Sequence, residues 1–208
     1  TEIEYDCETS GLSSFLVEKL HAFQIGIPGK QFVMDAETID IKLFKDILEN
    51  ATLYGHNLGY DFPYLYREKI VPRKVVDTYV VEYELTKGLF VPRGYRGLAA
   101  CAERYLGVTL DKTEQEKVAE GLTDVEKILY SGRDVMYIRD IYAQQQNKVR
   151  ALKLENRVHF ENTYLPAHVY LEYSGVKLNE ERLGRLVREQ EADEMISLRH
   201  LEQTYAKI

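Results

Sequence analysis

The sequence predicts an α/β domain built in three layers, with a sheet between helices. Short runs near the amino terminus alternate apolar and polar residues, as strands do, and later segments repeat apolar residues at helical spacing. Strands and helices then alternate along the chain, so some strands need crossover connections and must be parallel. The length of 208 residues suits one domain, or one domain with a short appendage.

Three strands at the amino terminus form the first predicted motif. Residues 2–6 and 20–27 alternate in polarity, and residues 31–34 follow a turn formed by Pro28 and Gly29. Because the strands succeed one another closely, we expect them to form an antiparallel meander.

The middle of the chain alternates predicted helices and strands. Asp40 begins a helix, because the apolar residues after it recur at helical spacing, and Asp77 with Thr78 begins another. Two short strands and two further helices are predicted here, the strands at residues 52–54 and 75–76 and the helices at about residues 60–69 and 98–106.

The second half of the chain is predicted to be almost wholly helical. A long helix begins at Thr123 or Asp124 and extends to about Tyr142. Pro166 is expected to interrupt the helical pattern that follows, and Asn179 begins a last helix that ends near residue 206.

These patterns divide the chain into a domain at residues 1–150 and a helical segment at residues 151–208. The segment is rich in charge and too thin to bury a core by itself. We therefore expect it to pack against a partner domain.

Composition and charge exclude several classes of protein. A net charge of −7 argues against a uniformly basic nucleic-acid-binding surface, and charges interrupt every apolar run that could cross a membrane. Cys7 and Cys101 are too few for a disulfide framework and fit a reducing compartment. No signal peptide precedes the first strand, and a start at Thr1 is typical of a fragment. We expect an intracellular protein, cytoplasmic if bacterial or phage and organellar if eukaryotic.

Carboxylates occur in three short patterns at the ends of predicted strands or on predicted helices. Asp6 and Glu8 are separated by one residue at the end of the first strand, so both side chains point to one face. Asp61 lies at a loop-to-helix junction after a later strand. Asp134 follows Tyr130 by four residues, which places both on one helical face. Each pattern by itself is weak evidence for a catalytic site. The evidence is their order along the chain, first at a strand end, then at a helix start, then on a late helix.

In this order the patterns resemble the three motifs of the four-carboxylate 3′–5′ exonucleases, in the subgroup with a tyrosine in the third motif. The surrounding residues are similar to the proofreading domain of family A DNA polymerases, at residues 5–9, 55–58, 77–78 and 102–106. The tail resembles the start of the polymerase region, at residues 161–166 and 172–176. The resemblance covers nearly the whole chain and implies a ribonuclease H-like fold with a mixed five-stranded sheet.

The resemblance implies hydrolysis of a phosphodiester bond at the 3′ end of single-stranded DNA, with two divalent cations, Mg²⁺ or Mn²⁺. The implied metal ligands are four carboxylates, Asp6, Glu8, Asp61 and Asp134. Tyr130 is implied to orient the attacking water, and Glu8 to contact the terminal 3′-hydroxyl. The last nucleotides are implied to contact Thr9, Leu12, Asn57 and Tyr60. Hard divalent cations prefer oxygen ligands, and a pair of them can stabilise both the attacking and the leaving oxygen.

Some of these residues have simpler interpretations that the sequence leaves open. Tyr60 and Leu12 would also suit ordinary packing, and Asn57 would also suit a turn. We expect Asp77 to cap a helix rather than to bind metal.

Three functions remain as hypotheses. The leading one is an exonuclease that proofreads for a polymerase domain lying C-terminal to it and absent from this chain. The second is a free-standing 3′–5′ exonuclease acting on RNA or on repair intermediates. The third is a catalytically silent nucleic-acid-binding module. A silent module needs only its core, so the presence of all four acids favours an enzyme.

Overall fold

The computed structural model describes residues 1–11, 18–110 and 125–205. A five-stranded mixed sheet lies at its centre, in the order β3-β2-β1-β4-β5. Its strands are β1 (Glu2–Thr9), β2 (Leu20–Ile27), β3 (Lys30–Asp35), β4 (Thr52–Gly55) and β5 (Lys74–Asp77). The first three strands form the predicted antiparallel meander, and β4 and β5 run parallel to β1. The predicted α/β class with helices around a mixed sheet is confirmed.

Helices surround the sheet and form most of the later chain. A 3₁₀ turn at Ile41–Phe44, capped by Asp40 as predicted, leads into the first α-helix. The described α-helices are α1 (Lys45–Asn50), α2 (Leu58–Arg67), α3 (Thr78–Leu85), α4 (Leu98–Leu106), α5 (Val125–Met136), α6 (Ile138–Ala151), α7 (Glu155–Ser174) and α8 (Glu180–Tyr205).

The two faces of β1 bury different chemistry. Ile3, Tyr5 and Cys7 point to one face and are buried in the main apolar core, together with Phe62 and Leu65 of α2. The residues between them are acidic and point to the opposite face. Alternation along one strand therefore separates the core from a row of carboxylates.

The acidic face of β1 is covered by α5, which packs across β1, β2 and β3. A second apolar cluster fixes this layer, because Val135 and Ile138 pack with Cys101 of α4. This packing brings the carboxyl-terminal half of α5 onto the strand that carries Asp6 and Glu8.

Two helix predictions were wrong. Pro166 lies inside α7, which continues through it. A proline removes one helical hydrogen bond, but buried Asn162 and Val169 on either side hold this helix against the core. The predicted long helix is two helices, since Tyr137 separates α5 from α6. Its predicted caps, Thr123 and Asp124, lie outside the described residues.

The chain forms two compact units, Thr1–Tyr173 and Ser174–Ile208. In the second unit α8 has no buried residue. Across the described ranges, no helix is both long and apolar enough to cross a membrane.

Candidate active site

Three of the predicted acids come together where α5 meets β1. One carboxylate oxygen each from Asp6, Glu8 and Asp134 lies within 4.8 Å of the others. Asp6 and Glu8 share a face of β1, and Asp134 reaches them because α5 lies across that face. Three anionic groups at this distance repel one another unless a cation offsets their charge.

The ligand atoms in this cluster suit a hard divalent cation. All three are carboxylate oxygens, which Mg²⁺ and Mn²⁺ prefer over nitrogen or sulfur. The nearest thiol on the strand, Cys7, points to the opposite face and is buried in the core. The residues therefore fit the metal that the sequence predicts.

Asp61 lies beside this cluster, outside the group of three mutually close oxygens. Its Oδ1 accepts a hydrogen bond of 2.9 Å from the backbone N–H of Cys7, the residue between Asp6 and Glu8. The pKa of Asp61 is raised to about 7. Burial is the largest cause, hydrogen bonding with Cys7 opposes it, and the nearby carboxylate of Asp77 adds to it. A positive charge placed near this carboxyl group would lower its pKa, because the charge stabilises the ionised form.

Asp77 holds the turn that precedes Asp61. It lies at the end of β5, and its Oδ1 accepts from the backbone N–H of Tyr79 at 2.8 Å, so it caps α3 as predicted. The same carboxylate also accepts from the N–H groups of Asn57 and Leu58, at 2.9 and 2.8 Å. One side chain therefore organises the starts of both α2 and α3.

Asn57 is exposed and has a left-handed backbone, with φ of 69°. Its side chain makes no capping hydrogen bond to α2. The turn is instead held through its backbone by Asp77, so the Asn57 side chain is not what organises the start of α2.

Thr9 and Tyr60 lie where the chain leaves β1. Their hydroxyls form a short hydrogen bond with each other, and Tyr60 Oη donates to the Gly11 carbonyl oxygen at 2.6 Å. Burial raises the pKa of Tyr60 well above its usual value. The two side chains are therefore neutral hydrogen-bonding groups that fix the backbone beside the cluster.

Two predicted site residues are not fully described. Leu12 lies outside the described residues. Tyr130 lies on α5, one helical turn before Asp134, and only its backbone is described.

Arg139 is a charged residue that sequence reasoning missed. Its Nη2 donates to Glu4 at 3.1 Å, its Nε makes a short contact with the same carboxylate, and its Nη1 lies 3.6 Å from Glu2. Arg139 thus places one positive charge between the first two acids of β1, Glu2 and Glu4. The signal was the run of alternating acids in β1, since a buried face with that charge needs a counter-charge.

Comparison with known proteins relates the first 150 residues to nucleases. A family model described as 3′–5′ exonuclease matches residues 1–150. DNA polymerase I of Aquifex aeolicus (strain VF5) is 28% identical over 155 residues, which cover 72% of this chain and 24% of the polymerase. The chain thus spans about a quarter of the length of the curated relative that it matches.

Solved structures show that the fold is shared with nucleases. Escherichia coli RNase D, an exoribonuclease involved in structured RNA processing, matches with a TM-score of 0.69 and 21% identity over 81% of this chain and 44% of its own. Brucella melitensis NrnC with bound Mg²⁺ matches with a TM-score of 0.68 and 23% identity, over 84% of this chain and 86% of its own.

Proposed function

The chain belongs to the 3′–5′ exonuclease family, and we propose that it removes nucleotides from the 3′ end of single-stranded DNA by metal-dependent hydrolysis. The observation that carries the proposal is the convergence of Asp6, Glu8 and Asp134, which are distant in sequence. A core alone has no need for three clustered carboxylates, because their mutual repulsion destabilises the fold.

Two divalent cations, Mg²⁺ or Mn²⁺, are the proposed cofactors. Their proposed ligands are the four acids Asp6, Glu8, Asp61 and Asp134. When bound, such cations lower the pKa of a water molecule and stabilise negative charge on phosphoryl oxygens. NrnC, which shares the fold, is known with Mg²⁺, and this supports the choice of metal.

The remaining proposed roles concern the substrate. Tyr130 orients the attacking water through its hydroxyl. We propose this role rather than that of a general base, because an ordinary tyrosine, with a pKa near 10, is a poor base at neutral pH. Glu8 contacts the terminal 3′-hydroxyl. The last nucleotides contact Thr9, Leu12, Asn57 and Tyr60. An unpaired end is the proposed substrate, since stacking and backbone contacts need separated bases.

The proposed partner is a polymerase domain that follows in a longer protein. Support comes from the similarity to a DNA polymerase I, of which this chain matches only 24%. Proofreading follows from that arrangement, because a 3′ end rejected by a polymerase would be cut here. The bacterial relative favours a cytoplasmic location among those that the sequence allows.

The test is digestion of a 3′-labelled single-stranded DNA oligonucleotide with Mg²⁺. We expect release of single nucleotides from the 3′ end, and a loss of at least a hundredfold in rate for Asp6→Asn, on the order of what a catalytic group contributes. Asp140→Asn is the matched control, because Asp140 is an exposed acid on α6. Full activity of Asp6→Asn would refute the proposal. A wild-type protein whose melting temperature does not change when Mg²⁺ or Mn²⁺ is added would also refute it.

A free-standing exonuclease that acts on RNA is the second candidate. The shared fold with RNase D, an exoribonuclease, favours it. An RNA oligonucleotide of the same sequence separates the two, because only RNA offers a 2′-hydroxyl for recognition. Cleavage of DNA at least tenfold faster than RNA supports proofreading, and equal rates support the second candidate.

A further inference from the structure

A buried amide without a partner lies next to the carboxylate cluster. Gln24 of β2 has no exposed surface, and in the described part of the chain neither its Oε1 nor its Nε2 has a hydrogen-bond partner. Folded proteins pair nearly all such atoms, because a buried polar group without a partner lowers stability. A buried amide without a partner in the metal-free protein suggests that it gains a hydrogen-bond partner when the protein binds its ligand.

The pairing of strands places Gln24 beside Asp6. In the antiparallel ladder of β1 and β2, Gln24 lies directly opposite Asp6. Side chains of such a pair point to the same face, with Cβ atoms about 5 Å apart. The amide and the carboxylate are therefore neighbours on the face that α5 covers.

The next strand confirms which face this is. Gln24 pairs on its other side with Val33 of β3. A Cβ placed on Gly132 of α5 would lie 3.6 Å from Val33 Cγ2, so the helix packs closely over this row. Ser131, next to that glycine, is also fully buried with an Oγ that has no partner among the described residues.

Asp6 differs from the other acids of β1 in the residue that lies opposite it on β2. Glu4 lies opposite Gly26, and Glu8 lies opposite Ala22, neither of which has a polar side chain. Glu4 is also paired with Arg139. Only the Asp6 position on this face has a hydrogen-bond donor across from it in β2.

We propose that Gln24 is a positioning residue for Asp6, with its Nε2 donating a hydrogen bond to the Asp6 carboxylate. The inference rests on the proposed metal-dependent function. A carboxylate oxygen has more than one lone pair, so a carboxylate that would hold a cation can still accept a hydrogen bond from an amide. Such outer hydrogen bonds orient metal ligands in many proteins, and their loss weakens metal binding.

The test is Gln24→Met, which keeps the volume and removes the amide. Calorimetric titration with Mn²⁺ alone should give a dissociation constant about tenfold higher than that of the wild type. In a chelator, the melting temperature should be unchanged or higher, because an unpaired polar group has been removed. Gln24→Leu is a second variant with the same expectation.

Gln145→Met is the matched control. Gln145 is also fully buried, but its Nε2 donates to Thr78 O at 2.9 Å and to Glu82 Oε2 at 3.1 Å. This variant should show the opposite pattern, with a lower melting temperature and an Mn²⁺ affinity within about twofold of the wild type.

The outcomes separate the inference from the proposed function. If the wild type binds Mn²⁺ and both Gln24 variants bind it equally well, the positioning role is wrong and the proposed function stands. A melting temperature in chelator far below that of the wild type in both variants also overturns it, because the amide would then be structural. A wild type that binds no Mn²⁺ overturns both.

Discussion

At the scale of single residues, Asp61 shows how burial changes the ionisation of a carboxylate. It is only 2% exposed, and its hydrogen bond to the Cys7 N–H does not compensate for the loss of water. The ionised form is thus disfavoured, and the pKa is raised to about 7, chiefly by burial.

This environment predicts a pH dependence of stability in the metal-free protein. The pKa of Asp61 is raised from about 4 in the unfolded chain, so the folded state binds more protons between these two values. Stability should therefore fall as the pH rises from about 4 through about 7, by on the order of 4 kcal/mol from this group, since each pKa unit corresponds to about 1.4 kcal/mol. Urea unfolding in chelator at several pH values measures it.

Asp61→Asn should remove that part of the slope, since an amide does not titrate. Asp140→Asn, at an exposed position, should leave the slope unchanged. An Asp61→Asn protein with the wild-type slope would assign the effect to other groups.

The left-handed backbone of Asn57 separates two roles for its side chain. With φ of 69°, Asn57→Ala should lower the free energy of unfolding by about 1 kcal/mol, whereas Asn57→Gly should keep it nearly unchanged. If the side chain contacts the nucleotide, Asn57→Gly should also raise KM for the oligonucleotide severalfold. An unchanged KM in this variant would leave Asn57 with a turn-shaping role alone.

At the scale of elements, β1 combines a buried apolar face with an acidic face, and α6 supplies the counter-charge to its first half. Glu4 is 6% exposed and paired with Arg139. Arg139→Met leaves that carboxylate buried without a partner, so we expect a loss of about 3 kcal/mol in the free energy of unfolding. Urea denaturation measures it.

The double variant Glu4→Gln with Arg139→Met is the control for this loss. It removes both charges, so most of the lost stability should return. A single variant within about 0.5 kcal/mol of the wild type would show that the pair is solvated despite its burial.

Local periodicity explains what could be predicted from the sequence. The alternation in β1 predicted a strand with Asp6 and Glu8 on one face, and the structure agrees. The partners in contacts between distant residues could not be identified from local pattern. The acids of β1 indicate that a counter-charge is needed, but not that Arg139, 135 positions from Glu4, supplies it. The strand register that sets Gln24 opposite Asp6 is another example, because it depends on how the chain turns between strands.

The prediction that Pro166 interrupts a helix was wrong for a related reason, since contacts between distant residues also decided it. Local propensity disfavours proline inside a helix by about 3 kcal/mol. Tertiary contacts outweigh this in α7, where Tyr66 Oη donates to the Pro166 carbonyl oxygen at 2.8 Å and Val169 is buried in the main core.

At the scale of the whole molecule, α7 is bound to the sheet through both polar and apolar contacts. Asn162 Oδ1 accepts from the backbone N–H of Asp77 at 2.6 Å, beside the turn that carries Asn57. Val158 and Val169 are buried, and Arg157 Nε lies 3.1 Å from Glu84. The helix after residue 150 therefore supports the same turn that positions Asp61.

These contacts predict how the chain responds to truncation. A chain ending at residue 173 should keep a melting temperature close to that of the full chain, because it retains every contact of α7 named above. A chain ending at residue 150 loses two buried valines, worth about 2 kcal/mol each, and leaves the Asp77 N–H without its partner, for about 1 to 3 kcal/mol more. This sum approaches the whole stability of an ordinary domain, so the shorter chain should be largely unfolded at 37 °C by circular dichroism. A chain of residues 1–150 that melts like the full chain would instead support a domain boundary at residue 150 and would make α7 a separate part of the helical segment.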